Sequence, residues 1–254
     1  MERSQAASRH RLVVAWAALA IAVGGCSGAT AVPSPSLSTP SDTPLVTASP
    51  TTLPSPTPAP TPSDEPLATL ATGYIAQPEY GFAITLVDGW QAVPLDPVAL
   101  QKVIGTLSGS SPLVGIIQSQ AASAAVEHIK FWALDFRPAS VGAGFAPNLN
   151  VLLGGTTALD LQTITQVDAS QLKAAGVTVL KSVIATLPAT KAGKVTYKVS
   201  LKLTNGTSIS VLGTQYIVFG SSGLLVFTFS CSGIHPGTCP ADSDATIKSL
   251  MLIP

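Results

Sequence analysis

The segment Lys194-Val-Thr-Tyr-Lys-Val-Ser-Leu-Lys-Leu203 alternates apolar and polar side chains along its whole length. A period of two is typical of a β-strand with one buried and one solvated face, as found in antiparallel sheets. The apolar set is Val195, Tyr197, Val199, Leu201 and Leu203. The other face carries Lys194, Lys198 and Lys202, which we interpret as a plain solvated strand face, with an anionic partner as the alternative.

The residues around this segment predict further antiparallel strands. Asn205-Gly206 is typical of the primed turns that close short hairpins, so Ser208–Phe219 is expected to pair back onto the first strand. A strand over Leu224–Phe229 follows the turn at Gly220–Gly223, and a strand over Val177–Leu187 comes before the hairpin. The second half of the folded region is therefore predicted to be a run of strands.

Earlier in the chain, short strands are predicted with a turn between the first two. Gly81–Leu86 alternates, Asp88-Gly89 supplies a turn, and Trp90–Val93 is expected to return as the second arm. Two more strands are predicted, from His128 to Phe136 and over Asn148–Leu153.

Helices are predicted between the strands from capping residues and helical spacing. They begin at Asp96-Pro97 and at Ser111-Pro112, and they cover Leu159–Ala175, with Gly176 as the stop, and Asp242–Leu252. Asp168 interrupts the apolar stripe of the third helix, and the last helix is expected to direct Ile247, Leu250 and Met251 inward. Strands and helices joined by hairpins rather than regular βαβ units favour an α+β fold, an antiparallel sheet with helices packed on it.

The N-terminus carries export signals. Arg3, Arg9 and Arg11 precede an uncharged apolar run from Leu12 to Val23, which is about a dozen residues long, whereas a membrane-spanning helix needs roughly 20. A basic start, a short apolar core and small residues at the end are typical of a secretory signal peptide, here residues 1–25, with an uncleaved membrane anchor as the alternative.

The run Val23-Gly24-Gly25-Cys26 resembles the lipobox of bacterial lipoproteins. The resemblance implies cleavage before Cys26, lipid attachment to Cys26, and an extracytoplasmic protein that is lipid-anchored to the cell membrane. Residues 26–71 are rich in Pro, Ser and Thr, so this segment is predicted to be a disordered linker that lifts the following domain off the membrane. The alternatives are a Pro-rich ligand for an aromatic groove and an O-glycosylated tract. Residues 72–254 are predicted to form one globular domain.

The charge composition excludes one class of partner. Charged residues make up 10% of the chain and the formal net charge is zero. Nucleic-acid-binding domains carry a basic surplus, so no nucleic-acid partner is expected.

Cys231 and Cys239 are the two cysteines that remain after Cys26. An exported chain permits a disulfide, and a short flexible loop separates the two residues, so we predict that they are bonded. The alternative is a metal pair completed by His235, which would lack a fourth ligand and the usual spacing.

Catalytic and cofactor motifs are sparse. His128 and His235 are the histidines outside the signal peptide, and the chain has no Gly-x-Ser-x-Gly elbow. Gly142-Ala-Gly144 lacks the third glycine of a dinucleotide loop. We therefore expect no catalytic residues, no cofactor and no metal. The aromatic side chains Trp90, Trp132 and Phe136 are interpreted as core residues, with a pocket lining as the alternative.

Several short motifs resemble the PsbP/Mog fold family. They are Tyr80-Gly81-Phe82-Ala-Ile84 with Gly89-Trp90, Asn148-Leu-Asn150-Val151, Gln215-Tyr216-Ile-Val218, Leu225-Val-Phe-Thr-Phe229 and Ala245-Thr-Ile-Lys-Ser249-Leu. The LpqN-type lipoproteins of this fold add a lipobox and a Pro/Thr linker, and the chain departs from the pattern at Val87, where the family has Pro. The resemblance implies an α/β/α sandwich with a mainly antiparallel sheet, and a non-enzymatic accessory or binding role.

These observations lead to two functional hypotheses. The first is a membrane-anchored, non-catalytic binding or accessory module, whose partner is an envelope protein, a glycan or an apolar ligand. The alternative is a cell-envelope hydrolase that uses His128 or His235.

Overall fold

The structure is a computed structural model that describes residues 70–107, 113–115, 117–118, 129–141, 145–202 and 208–254. The predictions for residues 1–69, for the helix start at Ser111-Pro112, for His128, for Gly142-Ala-Gly144, for Leu203 and for the turn at Asn205-Gly206 lie outside these residues. No helix within the described ranges is both long enough and apolar enough to cross a bilayer.

Strands and helices alternate irregularly along the described chain. The strands are β1 (Tyr74–Gln77), β2 (Phe82–Thr85), β3 (Trp90–Ala92), β4 (Ile129–Asp135), β5 (Asn148–Gly154), β6 (Thr178–Thr186), β7 (Lys191–Lys202), β8 (Ser208–Gly220), β9 (Gly223–Ser232) and β10 (Met251–Leu252). The helices are α1 (Pro97–Thr106), α2 (Leu161–Ala174) and α3 (Cys239–Lys248). Residues 113–115 and 117–118 are also helical, where the sequence predicts a helix.

The strands form two antiparallel sheets. The larger has seven strands in the order β3-β4-β5-β9-β8-β7-β6, and the smaller has the order β1-β2-β10. Every pairing between these strands is antiparallel. The predicted α+β class with a mainly antiparallel sheet is confirmed.

Helices cover both faces of the large sheet. On one face, called the α2 face, Ile164 of α2 shares an apolar cluster with Ile217 and Val226, while Leu100 of α1 packs in a cluster with Trp132. On the other, called the α3 face, a core of aromatic and aliphatic side chains lies under α3 and the small sheet. Its strand and helix members include Phe131, Val151, Phe227, Tyr216 and Ile247.

Local capping explains where α2 begins and ends. The backbone N–H of Thr163 donates to Asp160 Oδ1 at 2.8 Å, as expected for an N-cap. Gly176 has φ +82°, its N–H donates to the Lys173 carbonyl, and the Val177 N–H donates to the Leu172 carbonyl. This pair of bonds is a Schellman motif, so the predicted glycine stop is confirmed.

The expected hairpin between the first two predicted strands is wrong. The turn at Asp88-Gly89 forms, but β2 pairs with β1 and β10, whereas β3 pairs with β4 in the large sheet. The turn therefore passes the chain from one sheet to the other. The crossing places Trp90, 1% exposed, against the ring of Phe229 in the α3-face core.

The last helix also differs from its prediction. It starts at Cys239 and ends at Lys248, and Met251–Leu252 pair with β2 as the strand β10. Met251 is 47% exposed rather than inward, because strand alternation turns it away from the core that Leu250 enters.

In the structure Cys231 and Cys239 form a disulfide with their Cα atoms 5.7 Å apart, joining the end of β9 to the start of α3. Both cysteines are buried, and His235 in the loop between them is exposed. No cluster of three or more metal-binding side chains occurs among the described residues.

We predict that intact-mass analysis of the exported protein shows a gain of two hydrogen atoms on reduction. The paired substitution Cys231→Ser with Cys239→Ser should lower the free energy of unfolding by about 2.5 kcal/mol, because the unfolded chain regains the entropy of the closed loop. His235→Ala is the control and should retain the bond. Two free thiols in the untreated protein would contradict the prediction.

Candidate functional site

The centre of the α2 face is polar, although it is buried. Register places Asn150, Thr228 and Gln215 side by side on β5, β9 and β8. The next row across the same strands is Asn148, Ser230 and Gly213. The polar side chains of these two rows are at most 3% exposed. A sheet face under helices normally carries apolar side chains, so these rows require an explanation.

Part of this polar surface has no hydrogen-bond partner within the protein. Gln215 Nε2 donates to Thr228 Oγ1 at 3.4 Å, and Asn148 Nδ2 donates to the Ala146 carbonyl at 3.3 Å. In contrast, Asn150 Oδ1, Gln215 Oε1 and Ser230 Oγ are buried and unpartnered. Each such atom costs on the order of 1–3 kcal/mol of folding free energy.

Tyr197 on β7 extends the second row. It is fully buried, and Gly213 is its partner across the β7–β8 ladder. A Cβ placed on Gly213 would lie 2.1 Å from the Tyr197 ring carbon Cζ and 2.6 Å from the hydroxyl oxygen. The ring and its hydroxyl therefore lie over the glycine, whose partner on β9 is Ser230. This hydroxyl is also unpartnered.

Helix α2 supplies two more unpartnered atoms, Asp168 Oδ2 and Gln171 Oε1. Residues four and seven positions apart share one stripe of a helix, so Ile164, Asp168 and Gln171 lie along the same line. Ile164 clusters with Ile217 of β8 and Val226 of β9, so the stripe faces the centre of the sheet. Asp168 and Gln171 therefore continue along the stripe towards the polar rows.

The neighbouring stripe of α2 fixes this orientation. A Cβ on Gly193 of β7 would lie 2.0 Å from Thr165 Oγ1, so the helix rests directly on this glycine. Leu172, further along the same stripe, belongs to one cluster with Val195 and Tyr197. Since this stripe is seated on β7, the Asp168 side of the helix is turned towards β8 and β9.

We call the six side chains that carry one of these unpartnered atoms the polar interior. Its members are Asn150, Asp168, Gln171, Tyr197, Gln215 and Ser230. They come from β5, α2, β7, β8 and β9, elements far apart in sequence, so the fold brings together polar groups that no local motif joins.

Asp168 dominates the electrostatics of the polar interior. It is 2% exposed, and burial raises its pKa to about 7, far above that of a solvated carboxyl. Tyr197 is the only other titratable group among the polar interior residues, and burial raises its pKa, so its hydroxyl stays protonated. Lys194 and Lys198 of β7 lie on the opposite face of the sheet, so neither can neutralise Asp168.

A cleft of about 430 Å³ lies at the edge of the large sheet, where β3 ends and the chain turns away from β4. Its walls include Val93, Val103 and Phe131. Lys130 also lines the cleft, with Nζ 5.8 Å from the Tyr80 ring centroid. The volume suits a small organic molecule.

Trp132 belongs to the cleft wall and is the neighbour of Asn150 in the polar interior. It lines the cleft, its side chain lies on the α2 face, and its cross-strand partner is Asn150. The indole therefore stands between the sheet edge and the first polar row, which runs Trp132, Asn150, Thr228, Gln215 across four strands.

The aromatic and histidine residues that the sequence analysis considered lie in different environments. Trp90 is a core residue, whereas Trp132 is both buried and part of the cleft wall. Phe136 packs partly buried against the α1 cluster. His235 is exposed, and its backbone N–H donates to Ser232 Oγ.

The expected solvated lysine face is only partly correct. Lys198 and Lys202 are exposed. Lys194, however, pairs with Asp244 at 2.9 Å and lies 4.9 Å from the Tyr216 ring centroid, because α3 covers this part of the strand. Asp244 also accepts a hydrogen bond from the Tyr216 hydroxyl.

The sequence interpretation did not identify the polar interior. Asp168 was visible as the residue that interrupts a helical stripe, but Gln215 and Asn150 fell inside the family-like strand motifs. The signal that could have found Gln215 is strand alternation. Gln215 lies an even number of residues from Val211 and Ile217, so its side chain is on the same face of the sheet as these two buried residues. A glutamine at an inward strand position marks a buried polar group.

Comparison with known proteins gives similarities to solved structures only, since no family model and no curated protein matches this chain. LpqN of Mycobacterium tuberculosis, described as involved in cell envelope biogenesis, is 14% identical, with a TM-score of 0.41, over 68% of this chain and 83% of that chain. Cyanobacterial PsbP (CyanoP) from Synechocystis is 12% identical, with a TM-score of 0.41, over 77% of this chain and 99% of that chain. Similarities of this size leave the function to be inferred from the chain's own residues.

Proposed function

We propose that this chain is a membrane-anchored, extracytoplasmic lipoprotein that acts as a non-catalytic binding module, and that it holds a small ligand from the envelope in its polar interior. The observation that carries the proposal is that six side chains of α2 and of the α2 face of the sheet each bury a polar atom that has no hydrogen-bond partner. A ligand that supplies the missing hydrogen bonds would offset the cost of burying these groups.

The chemistry of the interior favours binding over catalysis. Asp168 and Tyr197 are its titratable members, and Asp168 Oδ2 and the Tyr197 hydroxyl have no hydrogen-bond partner among the described residues. Nucleophilic catalysis requires a nucleophile within hydrogen-bond reach of its base, and neither of these described residues makes such a bond. Amides and hydroxyls held by strands are suited to fixing the orientation of a ligand.

The proposal alters the expected ligand in one respect. An apolar ligand would fit the cleft beside Trp132, but it would leave the polar interior unpaired. A ligand with hydrogen-bonding groups and a short apolar part suits the polar interior, because Trp132 flanks Asn150 at the end of the first polar row.

The anchor part of the proposal rests on Val23-Gly24-Gly25-Cys26 and on the Pro-rich segment after it. Cys26→Ala should abolish incorporation of labelled palmitate and leave the protein as uncleaved precursor or release it to the medium, because the acylated thiol is gone. Ser27→Ala is the matched control and should be labelled and membrane-bound. Palmitate label on the Cys26→Ala protein would contradict the anchor.

The binding part is tested by native mass spectrometry of the full chain extracted from its own membrane in mild detergent. We expect a non-covalent small-molecule adduct that is lost when Asn150→Leu and Gln215→Leu are combined. Thr214→Val, next to Gln215 but on the α3 face, is the control and should keep the adduct.

The same sample separates binding from turnover. The released molecule should keep its mass after prolonged incubation with the protein. Absence of an adduct from the wild-type chain would contradict binding, and conversion of the molecule that depends on His128 or His235 would favour the hydrolase alternative.

A further inference from the structure

We infer that the ligand of the polar interior is a small organic cation with a primary ammonium group, held by the acceptor oxygens of the sheet and paired with the carboxylate of Asp168. This inference rests on the proposed function, since it assigns a chemical class to the ligand of the same site.

The unpartnered atoms are mainly hydrogen-bond acceptors. Asn150 Oδ1, Gln215 Oε1 and Gln171 Oε1 are amide oxygens, and Asp168 Oδ2 is an acceptor when the carboxyl is ionised. The hydroxyls of Tyr197 and Ser230 can donate or accept. With the amides oriented in this way and Asp168 ionised, a ligand that brings donors pairs with this set, and a primary ammonium brings three N–H donors and no acceptor.

The charge of the interior selects among donor-rich ligands. Asp168 is buried without a counter-ion among the described residues that surround it, and an isolated buried carboxylate is strongly unfavourable. A cationic ligand would supply the missing opposite charge. An anionic ligand would meet a carboxylate and several acceptor oxygens, whereas a neutral polyol would leave Asp168 without a counter-charge.

The surroundings limit the ligand to a short apolar body. Trp132 flanks Asn150 at one end of the first polar row, and Ile217 and Val226 form the next row across β8 and β9. The aromatic rings of Trp132 and Tyr197 are compatible with a neighbouring cation. A short alkylammonium ion places its charge among the oxygens and its chain against these side chains.

A cationic ligand also predicts a proton linkage. In the free protein, burial raises the pKa of Asp168 to about 7, and a bound ammonium would lower this pKa. Among the described side chains that face Asp168, Tyr197 from β7 titrates only at alkaline pH. Asn150, Gln215 and Ser230 from the other strands and Gln171 from α2 do not titrate. Binding below pH 7 should therefore release a proton from Asp168.

The experiment is a calorimetric titration of the dialysed full chain in detergent with butylammonium chloride. Titrations at pH 6 and pH 8.5, each in two buffers of different ionisation enthalpy, measure affinity and proton release. We expect about tenfold tighter binding at pH 8.5, because most Asp168 side chains are protonated at pH 6 in the free protein, and close to one proton released per cation at pH 6.

Variants assign the effect to the carboxylate. Asp168→Asn should weaken butylammonium binding at pH 8.5 at least tenfold and remove both the pH dependence and the proton release. Asp88→Asn, an exposed turn carboxylate, is the matched control and should behave like the wild type. Loss of affinity without loss of proton linkage would overturn the assignment to Asp168.

Neutral, anionic and metal probes complete the test. If butanol or sodium butyrate binds as tightly as butylammonium, or if magnesium or calcium chloride binds more tightly, the ammonium assignment is wrong while the binding module stands. If no probe binds and the native chain carries no adduct, the proposed function fails as well.

Discussion

Asp168→Asn is expected to stabilise the ligand-free protein by about 3 to 4 kcal/mol at pH 8.5 and by less than about 1 kcal/mol at pH 4. The pKa of Asp168 is about 7 in the folded protein, above the value of roughly 3.9 for an unfolded aspartate. The folded state thus binds a proton that the unfolded state releases between these two values. The wild type loses stability as the pH rises through this window, and the full cost is present above pH 7.

Urea denaturation of the wild type and the variant at both pH values checks this expectation. Asparagine has the shape of the protonated carboxyl but cannot ionise, so the difference between the two proteins isolates the charge. Asp88→Asn serves as the exposed control and should show no comparable gain. If Asp168→Asn changes the free energy of unfolding equally at pH 4 and pH 8.5, then Asp168 is not a buried carboxyl that lacks a counter-ion.

Gly213→Ala is expected to destabilise the protein by about 2 to 3 kcal/mol. The added methyl group would lie 2.1 Å from the Tyr197 ring, which is fully buried and cannot move aside without disturbing the α2 face. Alanine in a strand is otherwise preferred over glycine by roughly 0.5–1 kcal/mol, so the sign of the effect identifies the steric contact.

A double-mutant cycle with Tyr197→Ala tests the cause of that loss. With the ring removed, Gly213→Ala should be neutral or slightly stabilising, because its clash partner is gone. Gly155→Ala is the control, since a Cβ there meets no atom within 4 Å. If Gly213→Ala costs the same with and without the Tyr197 ring, then Tyr197 does not lie over Gly213 and its hydroxyl does not enter the polar interior.

The elements that sequence reasoning predicted well are those with local causes. Strand β7 follows from alternation alone, and its inward residues Val195 and Tyr197 are fully buried. Helix α2 was predicted over Leu159–Ala175 with a glycine stop at Gly176, and the structure adds an N-cap at Asp160; both signals act within one turn of the helix. Such signals depend only on residues that are close in sequence, so they hold whichever strands pair in the sheet.

The pairing of strands could not be predicted in the same way. The turn at Asp88-Gly89 has the residues of a hairpin, yet β2 and β3 belong to different sheets. The partners of β2 lie at the start of the domain and at Met251–Leu252, near the C-terminus. Pairing over such a separation is decided by burial of the two cores rather than by the turn.

The candidate site was hidden for the same reason. Asn150, Gln215 and Ser230 each sit at an inward strand position, but only the register of β5, β9 and β8 places them together. Asp168 could be noticed from the sequence because it breaks a helical stripe. Its significance depends on Ile164 and Thr165, whose packing turns Asp168 towards the sheet centre.

The most direct test of the proposed binding role is a high-resolution crystal structure of the protein purified from its own membrane without added ligand. We predict non-protein density, larger than water, within hydrogen-bond distance of Asn150 Oδ1, Gln215 Oε1 and Asp168 Oδ2. Isolated ordered waters at these atoms, or side chains rotated to pair with one another, would contradict the assignment of the polar interior as a ligand site.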